Sequence, residues 1–149
     1  MVSKTAKRAM DLFDSGYNCA ESVLLALSEN FAQKSTIIPR VATGFGGGVG
    51  RSGSICGALS GAVMAIGLLE GCEMPEEKEK RTAVYKEVLR MVEDFEREFG
   101  SSHCGTLTGC NIRTEDGLKE YYAREVRKKV CPKFVGWCAD YVVKGYAVV

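Results

Sequence analysis

The sequence contains a single histidine and no two cysteines separated by two residues. The first shortage removes most hydrolytic machinery: imidazole catalysis has one candidate, His103, and no nucleophile-elbow motif accompanies it. The second removes zinc-ribbon, thioredoxin-type and simple ferredoxin motifs, and because CxxCH is missing too, no covalent haem is expected. An excess of one charge sign is also lacking. The 20 basic and 19 acidic residues leave a formal charge of +1, so no global field draws nucleic acid or an acidic membrane. The longest uncharged run, Ser52 to Leu69, has 18 residues, of which 7 are Gly or Ser. That is the lower margin of a bilayer span, and no basic cluster flanks it, so a buried helix is expected rather than a membrane span. Residues 1 to 20 mix Lys4, Lys7 and Arg8 with Asp11 and Asp14 and hold no apolar signal core, which points to a cytoplasmic protein.

Cysteine and glycine are plentiful. Seven cysteines, Cys19, Cys56, Cys72, Cys104, Cys110, Cys131 and Cys138, form an odd set without a secretory signal. A complete disulfide framework is therefore not expected, which leaves metal binding, redox chemistry or core packing. Residues 46 to 61, GGGVGRSGSICGALSG, carry 7 of the 17 glycines. Gly48 to Gly53 fits GxGxxG, but Pro39 to Thr43 makes a poor preceding strand, and Glu70 and Glu73 follow a helix. No Lys-Ser or Lys-Thr pair ends the glycines either, so no nucleotide is expected.

The 149 residues suit one domain, 1–149. Ala6, Ala9, Met10 and Phe13 recur at helical spacing until Ser15-Gly16. Asn18 and Glu21 form a capping box that opens a second helix with Ala20, Val23, Leu24 and Leu27 on one face. After a short helix expected from Pro39, Ile55 to Leu69 is apolar all round, as a helix enclosed by others would be. Gly53, Gly57 and Gly61, spaced by four, are expected to share a face. Pro75, Glu76, Glu77 and Glu79 start a long helix with a Val84, Val88, Val92, Phe95, Phe99 stripe, stopped by Gly100. Leu118, Tyr121, Tyr122 and Val126 mark a helix capped by Thr114, and Cys131-Pro132 begins the last, which would bury Phe134, Val135, Cys138, Tyr141 and Val142. No alternating strand is visible. The expectation is an all-α, compact single-domain bundle of about five to seven helices with one buried central helix.

Four cysteines fall at or near helix starts or turns. Cys19 follows an N-cap, Cys56 lies near the first turn of the enclosed helix, Cys104 sits beside His103 in a glycine-punctuated turn, and Cys131 precedes the proline of the last helix. The unpaired amides and dipole of a helix start stabilise a thiolate, so Cys56 is expected to have a depressed pKa and to be the thiol that the glycines present. Free cysteine also serves as a small buried hydrophobe, the plainer role for Cys72 and Cys138. His103 reads more simply as a surface histidine, and the tyrosines, Trp137 and the methionines as core.

The ordered set Gly16-Tyr17-Asn18-Cys19-Ala20-Glu21, Gly44-Phe45-Gly46-Gly47-Gly48, Cys56-Gly57-Ala58-Leu59-Ser60-Gly61, Phe99-Gly100-Ser101-Ser102-His103-Cys104 and Cys131 resembles the C_GCAxxG_C_C family, small redox-active proteins named for four such cysteines. The resemblance implies that Cys19, Cys56, Cys104 and Cys131 act together. They would do so either as thiols exchanging with disulfides, with Cys56 as the attacking sulfur, or as ligands of an iron-sulfur cluster or another thiophilic metal. Cys110 and His103 are weaker candidate ligands, and Gly46, Gly47, Gly48 and Gly57 would supply backbone donors and room. An unidentified redox partner is implied, and a homo-oligomer is compatible. Other readings are a non-catalytic metal-binding or trafficking protein, and a helical interaction module with cysteine as filler.

Overall fold

Short-range signals set where each helix begins and ends. In the computed structural model, which describes residues 2–146, the Ser3 hydroxyl accepts the Ala6 N–H at 3.0 Å to start α1, Lys4–Ser15. Gly16, at φ 122°, ends it. The expected capping box opens α2, Cys19–Asn30: Asn18 Oδ1 accepts the Glu21 N–H at 2.9 Å, and the Glu21 carboxylate accepts the Asn18 N–H at 3.4 Å. A 3₁₀ segment, Arg40–Phe45, leads into a turn at Gly46–Val49. Gly47 and Gly48 stand at φ 66° and 67° in that turn, the left-handed region that side chains avoid. The remaining helices are α3, Gly57–Glu70, α4, Lys78–Phe99, α5, Cys104–Thr108, α6, Glu115–Ala123, α7, Val126–Lys129, and α8, Cys131–Gly145. No strand occurs among the described residues beyond one isolated bridge between Ile55 and His103.

Three expectations shift. Gly53 lies outside α3 at φ 75°, so only Gly57 and Gly61 share its face. The long helix starts at Lys78 rather than at Pro75, because the Glu77 carboxylate accepts the N–H groups of Glu73 and Met74 at 2.6 and 2.8 Å and holds a turn ahead of it. Val126 belongs to its own short helix, since Glu125 at φ 52° interrupts the chain after Ala123.

The centre is shared by two helices instead of one. Helix α2 buries Ala20, Val23, Leu24, Ala26 and Leu27 and has α1, α3 and α8 packed around it. Helix α3 is buried through Ile66 but emerges at Leu68. The two approach closely at Gly61, where a Cβ would lie 2.6 Å from the Ala20 carbonyl oxygen. Full burial of Leu24 and Leu27 contributes roughly 1.5–3 kcal/mol each. Phe95 and Phe99 of α4 pack on Phe134 and Trp137 of α8 with ring centroids 5.0–6.0 Å apart. That contact pins the C-terminal half of α4 to the bundle. The expected stripe holds except at one position: Met91 rather than Val92 joins Val84, Val88, Phe95 and Phe99 against the core, and Tyr85 and Leu89 are exposed. A second, smaller apolar cluster of Cys110, Ile112 and Val126 forms where α5 to α8 meet. No helix among the described residues is long and apolar enough to cross a membrane.

Candidate functional site

The four cysteines of the ordered set all stand at helix beginnings. Cys19, Cys104 and Cys131 are the first residues of α2, α5 and α8, and Cys56 is the residue before α3. A backbone clasp joins two of them. The Cys56 N–H donates to Ser102 O at 2.8 Å, the Cys104 N–H to Ser54 O at 2.7 Å, and the Gly105 N–H to Gly53 O at 3.1 Å. Residues 53–56 and 102–105 thus lie side by side although nearly fifty positions separate them.

Missing side chains make the room for the sulfurs. A Cβ on Gly57 would fall 2.5 Å from Cys19 Sγ, and one on Gly48 would fall 2.6 Å from Cys104 Cβ. On Gly46 it would meet the Asn18 amide at 2.6 Å. The glycines therefore seat Cys19, Cys104 and the α2 cap, which corrects the expectation that they present Cys56. No contact of this kind involves the Cys56 side chain, which is 5 % exposed within the main core.

Cys19, Cys104 and Cys131 line one pocket of ≈380 Å³ together with Gly46, Gly47, Tyr121 and Arg127. The Tyr121 hydroxyl lies 3.5 Å from Cys131 Sγ. Arg127 donates to the backbone carbonyls of Phe13 and Tyr17, the latter at 3.0 Å, and its guanidinium stands 4.0 Å from the centroid of the Phe13 ring. The tyrosine and the arginine were not distinguishable from core and surface residues in the sequence. Only their places on either side of the α6–α7 break, within ten residues of Cys131, hint at the site.

Burial outweighs the helix ends in setting the acidity of these thiols. Cys56 is pushed well up by burial and then by the charge of Cys19, against the amides of Ala58 and Leu59 at the α3 start. Its expected depression is thereby reversed: removing a thiolate from water costs more than two amides return. Burial also raises Cys104 to about 12, with like charge from Cys19, Cys131 and Cys110 adding to it. Cys19 is raised by burial, opposed by the N–H groups of Gly47, Ala20 and Cys19 itself and by Arg127. Cys131 is raised to about 11: burial dominates, while Tyr121, Arg127 and Lys133 pull the value down.

The other candidates lie apart to different degrees. Cys110 is buried in the small cluster against which Cys104 and Cys131 pack, and Arg124 Nη1 donates to its sulfur at 3.5 Å. Cys138 is fully buried on α8 within the main core. Cys72 is distant from the pocket and donates to Glu77 O at 3.3 Å. His103 is exposed, and its backbone takes part in the bridge to Ile55. Among the described residues, no three His, Cys, Asp or Glu side chains are gathered so as to hold a metal ion.

Comparison with known proteins bears on these residues. Residues 17–144 match the family described as "Putative redox-active protein (C_GCAxxG_C_C)". An uncharacterized protein of Archaeoglobus fulgidus is 32% identical over 113 residues, covering 71% of this chain and 75% of that one. No solved structure matches the chain. With nearly its whole length matched, cysteines included, the chain belongs to the C_GCAxxG_C_C family.

Proposed function

We propose that the protein is a dithiol redox protein that exchanges with disulfides in the pocket formed by Cys19, Cys104 and Cys131. One observation supports this above the others: three thiols, each leading a helix, border a single cavity. Cys131 is assigned as the attacking sulfur because the Tyr121 hydroxyl lies 3.5 Å from its Sγ and Arg127 lines the same pocket, which sets a hydrogen-bond donor and a positive charge near its thiolate. The Cys131 thiolate attacks one sulfur of a disulfide RSSR, the S–S bond breaks, and RS⁻ leaves with a proton from solvent. The Cys19 thiolate then attacks Cys131 Sγ in the mixed disulfide, forming Cys19–Cys131 and releasing the second RS⁻. The protein loses two electrons and RSSR becomes two thiols; the reverse sequence oxidises a dithiol. Cys56, shielded in the core behind Cys19, does not attack.

Exchange is preferred to a cluster or a metal because the described donors do not close around an ion in this arrangement. The deciding experiment treats anaerobically reduced protein with one equivalent of a small disulfide and maps the products by mass spectrometry. A Cys19–Cys131 bond is expected in the parent protein, and a mixed disulfide trapped at Cys131 in Cys19→Ser. Modification confined to Cys72, or a folded protein whose pocket thiols stay unmodified, would reject the assignment. Iron and acid-labile sulfide present in stoichiometric amounts in anaerobically purified protein would replace it with the cluster reading.

A further inference from the structure

The cysteine pocket is lined by two arginines, Arg51 and Arg127, and by no carboxylate. Outside the pocket, Arg8, Arg90, Arg97 and Arg124 each pair with Glu or Asp, whereas Arg40, Arg81 and Arg113 form no ion pair among the described residues. Neither pocket arginine has such a partner among the described residues. Arg127 is spent only on two backbone carbonyls and the Phe13 ring, contacts that orient the guanidinium without cancelling its charge. Arg51 follows the glycine turn at φ 63° and is exposed. The wall between them is apolar, with Ile112, Leu118 and Tyr121. Past Arg51 the cavity continues into a shallower one that holds Arg113 and a single acid, Glu115.

A part-enclosed site with uncancelled positive charge and an apolar floor binds anions that carry an apolar body. The cations also offset the repulsion that an anion would meet from a nearby thiolate. At ≈380 Å³ the cavity falls within the size range of small-ligand pockets. We infer that the exchanging species is a low-molecular-weight disulfide bearing carboxylates or equivalent anionic groups. Arg51 and Arg127 would bind the anion while the S–S bond lies against Cys131, and the reaction would then proceed by the two attacks given above. This inference rests on the exchange reading and specifies its substrate class.

The test compares three probes of similar size on reduced protein: anionic 3,3′-dithiodipropionate, its neutral diamide and cationic cystamine. Each rate is divided by that of a free small thiol with the same probe, which removes intrinsic reactivity. The anionic probe is expected to exceed cystamine by roughly 10-fold or more, falling toward parity in Arg51→Gln and at high salt. Arg51 makes no side-chain hydrogen bond or ion pair, so this variant should fold; Arg127→Gln is the second variant. The thioether 3,3′-thiodipropionate, which cannot exchange, should slow alkylation of Cys131, and less so in Arg51→Gln. Equal normalised rates for the three probes, or a preference unchanged in Arg51→Gln, overturn the anion assignment while exchange itself stands. If no probe yields either a mixed disulfide at Cys19, Cys104 or Cys131 or a disulfide between two of them, the exchange reading falls and this inference with it.

Discussion

At the scale of single residues, the site depends as much on glycines as on cysteines. Gly57→Ala places a methyl 2.5 Å from Cys19 Sγ and 3.0 Å from the Phe45 carbonyl oxygen, and the carbonyl cannot swing aside. It is expected to cost about 1–3 kcal/mol, read from urea midpoints, and to raise the alkylation rate of Cys19 by displacing its sulfur. Gly48→Ala meets Ser54 backbone atoms at 2.7 Å in a left-handed conformation and should cost at least as much. Gly67, also in α3, has nothing within 4 Å of a new Cβ. Gly67→Ala is therefore the control, expected to stabilise by roughly 0.5–1 kcal/mol. If all three variants behaved alike, the glycines would matter for chain entropy and not for seating sulfur. Tyr121→Phe addresses the thiol directly. It removes the hydroxyl 3.5 Å from Cys131 Sγ, one of the groups holding that thiol's pKa down. Alkylation of Cys131 at pH 8 should slow by roughly 3- to 10-fold, as loss of a hydrogen bond to a charged group implies. Its pH profile should move upward, whereas a purely structural role for Tyr121 would accelerate labelling.

At the scale of elements, the start of α2 couples helix stability to the pocket. The Asn18 side chain caps Glu21, donates to Thr43 O at 3.0 Å, and lies beneath Gly46. Asn18→Ala is expected to cost about 1–2 kcal/mol, measured by denaturant unfolding, and to increase hydrogen exchange in the Gly46–Val49 turn as well as in the first turn of α2. Protection lost in α2 alone would show the turn to be held independently. The capping box, the Thr114 cap, Gly16 and Pro132 were all readable in the sequence, because each acts within three or four residues. So was the placement of Cys19, Cys56 and Cys131 at or near helix beginnings, while Cys104, expected in a turn, opens α5. What escaped reading depends on contacts across the chain: the clasp of residues 53–56 with 102–105, the empty Cβ positions facing Cys19 and Cys104, and Arg127 reaching the carbonyls of Phe13 and Tyr17. Local pattern places Cys56 near the first turn of the helix, one residue from its observed position just before α3, yet misjudges its acidity, since burial is set by neighbours that the pattern does not contain.

At the scale of the whole molecule, the bundle keeps protonated a group of thiols that the unfolded chain would ionise. Burial raises Cys19, Cys56 and Cys138, takes Cys104 to about 12 and Cys131 to about 11, and raises the phenol of Tyr121 as well. In the unfolded chain these thiols titrate near ~8.5. Below that pH both states hold the protons and the linkage is silent. Above it the unfolded chain releases protons that the folded chain retains, so the unfolding free energy falls as pH rises, and continues to fall until the folded thiols also ionise. The urea midpoint is expected to be level from about pH 6 to 8 and to decline steadily from about pH 9 to 11. A Cys56→Ala/Cys138→Ala variant separates the contribution of the core thiols from that of the surface. It removes two deeply buried thiols without touching a surface pair, and its midpoint, although lower at pH 7, should fall less steeply with pH. A decline of equal slope in both proteins would assign the alkaline loss to the surface and leave the core thiols without the raised pKa that their burial implies.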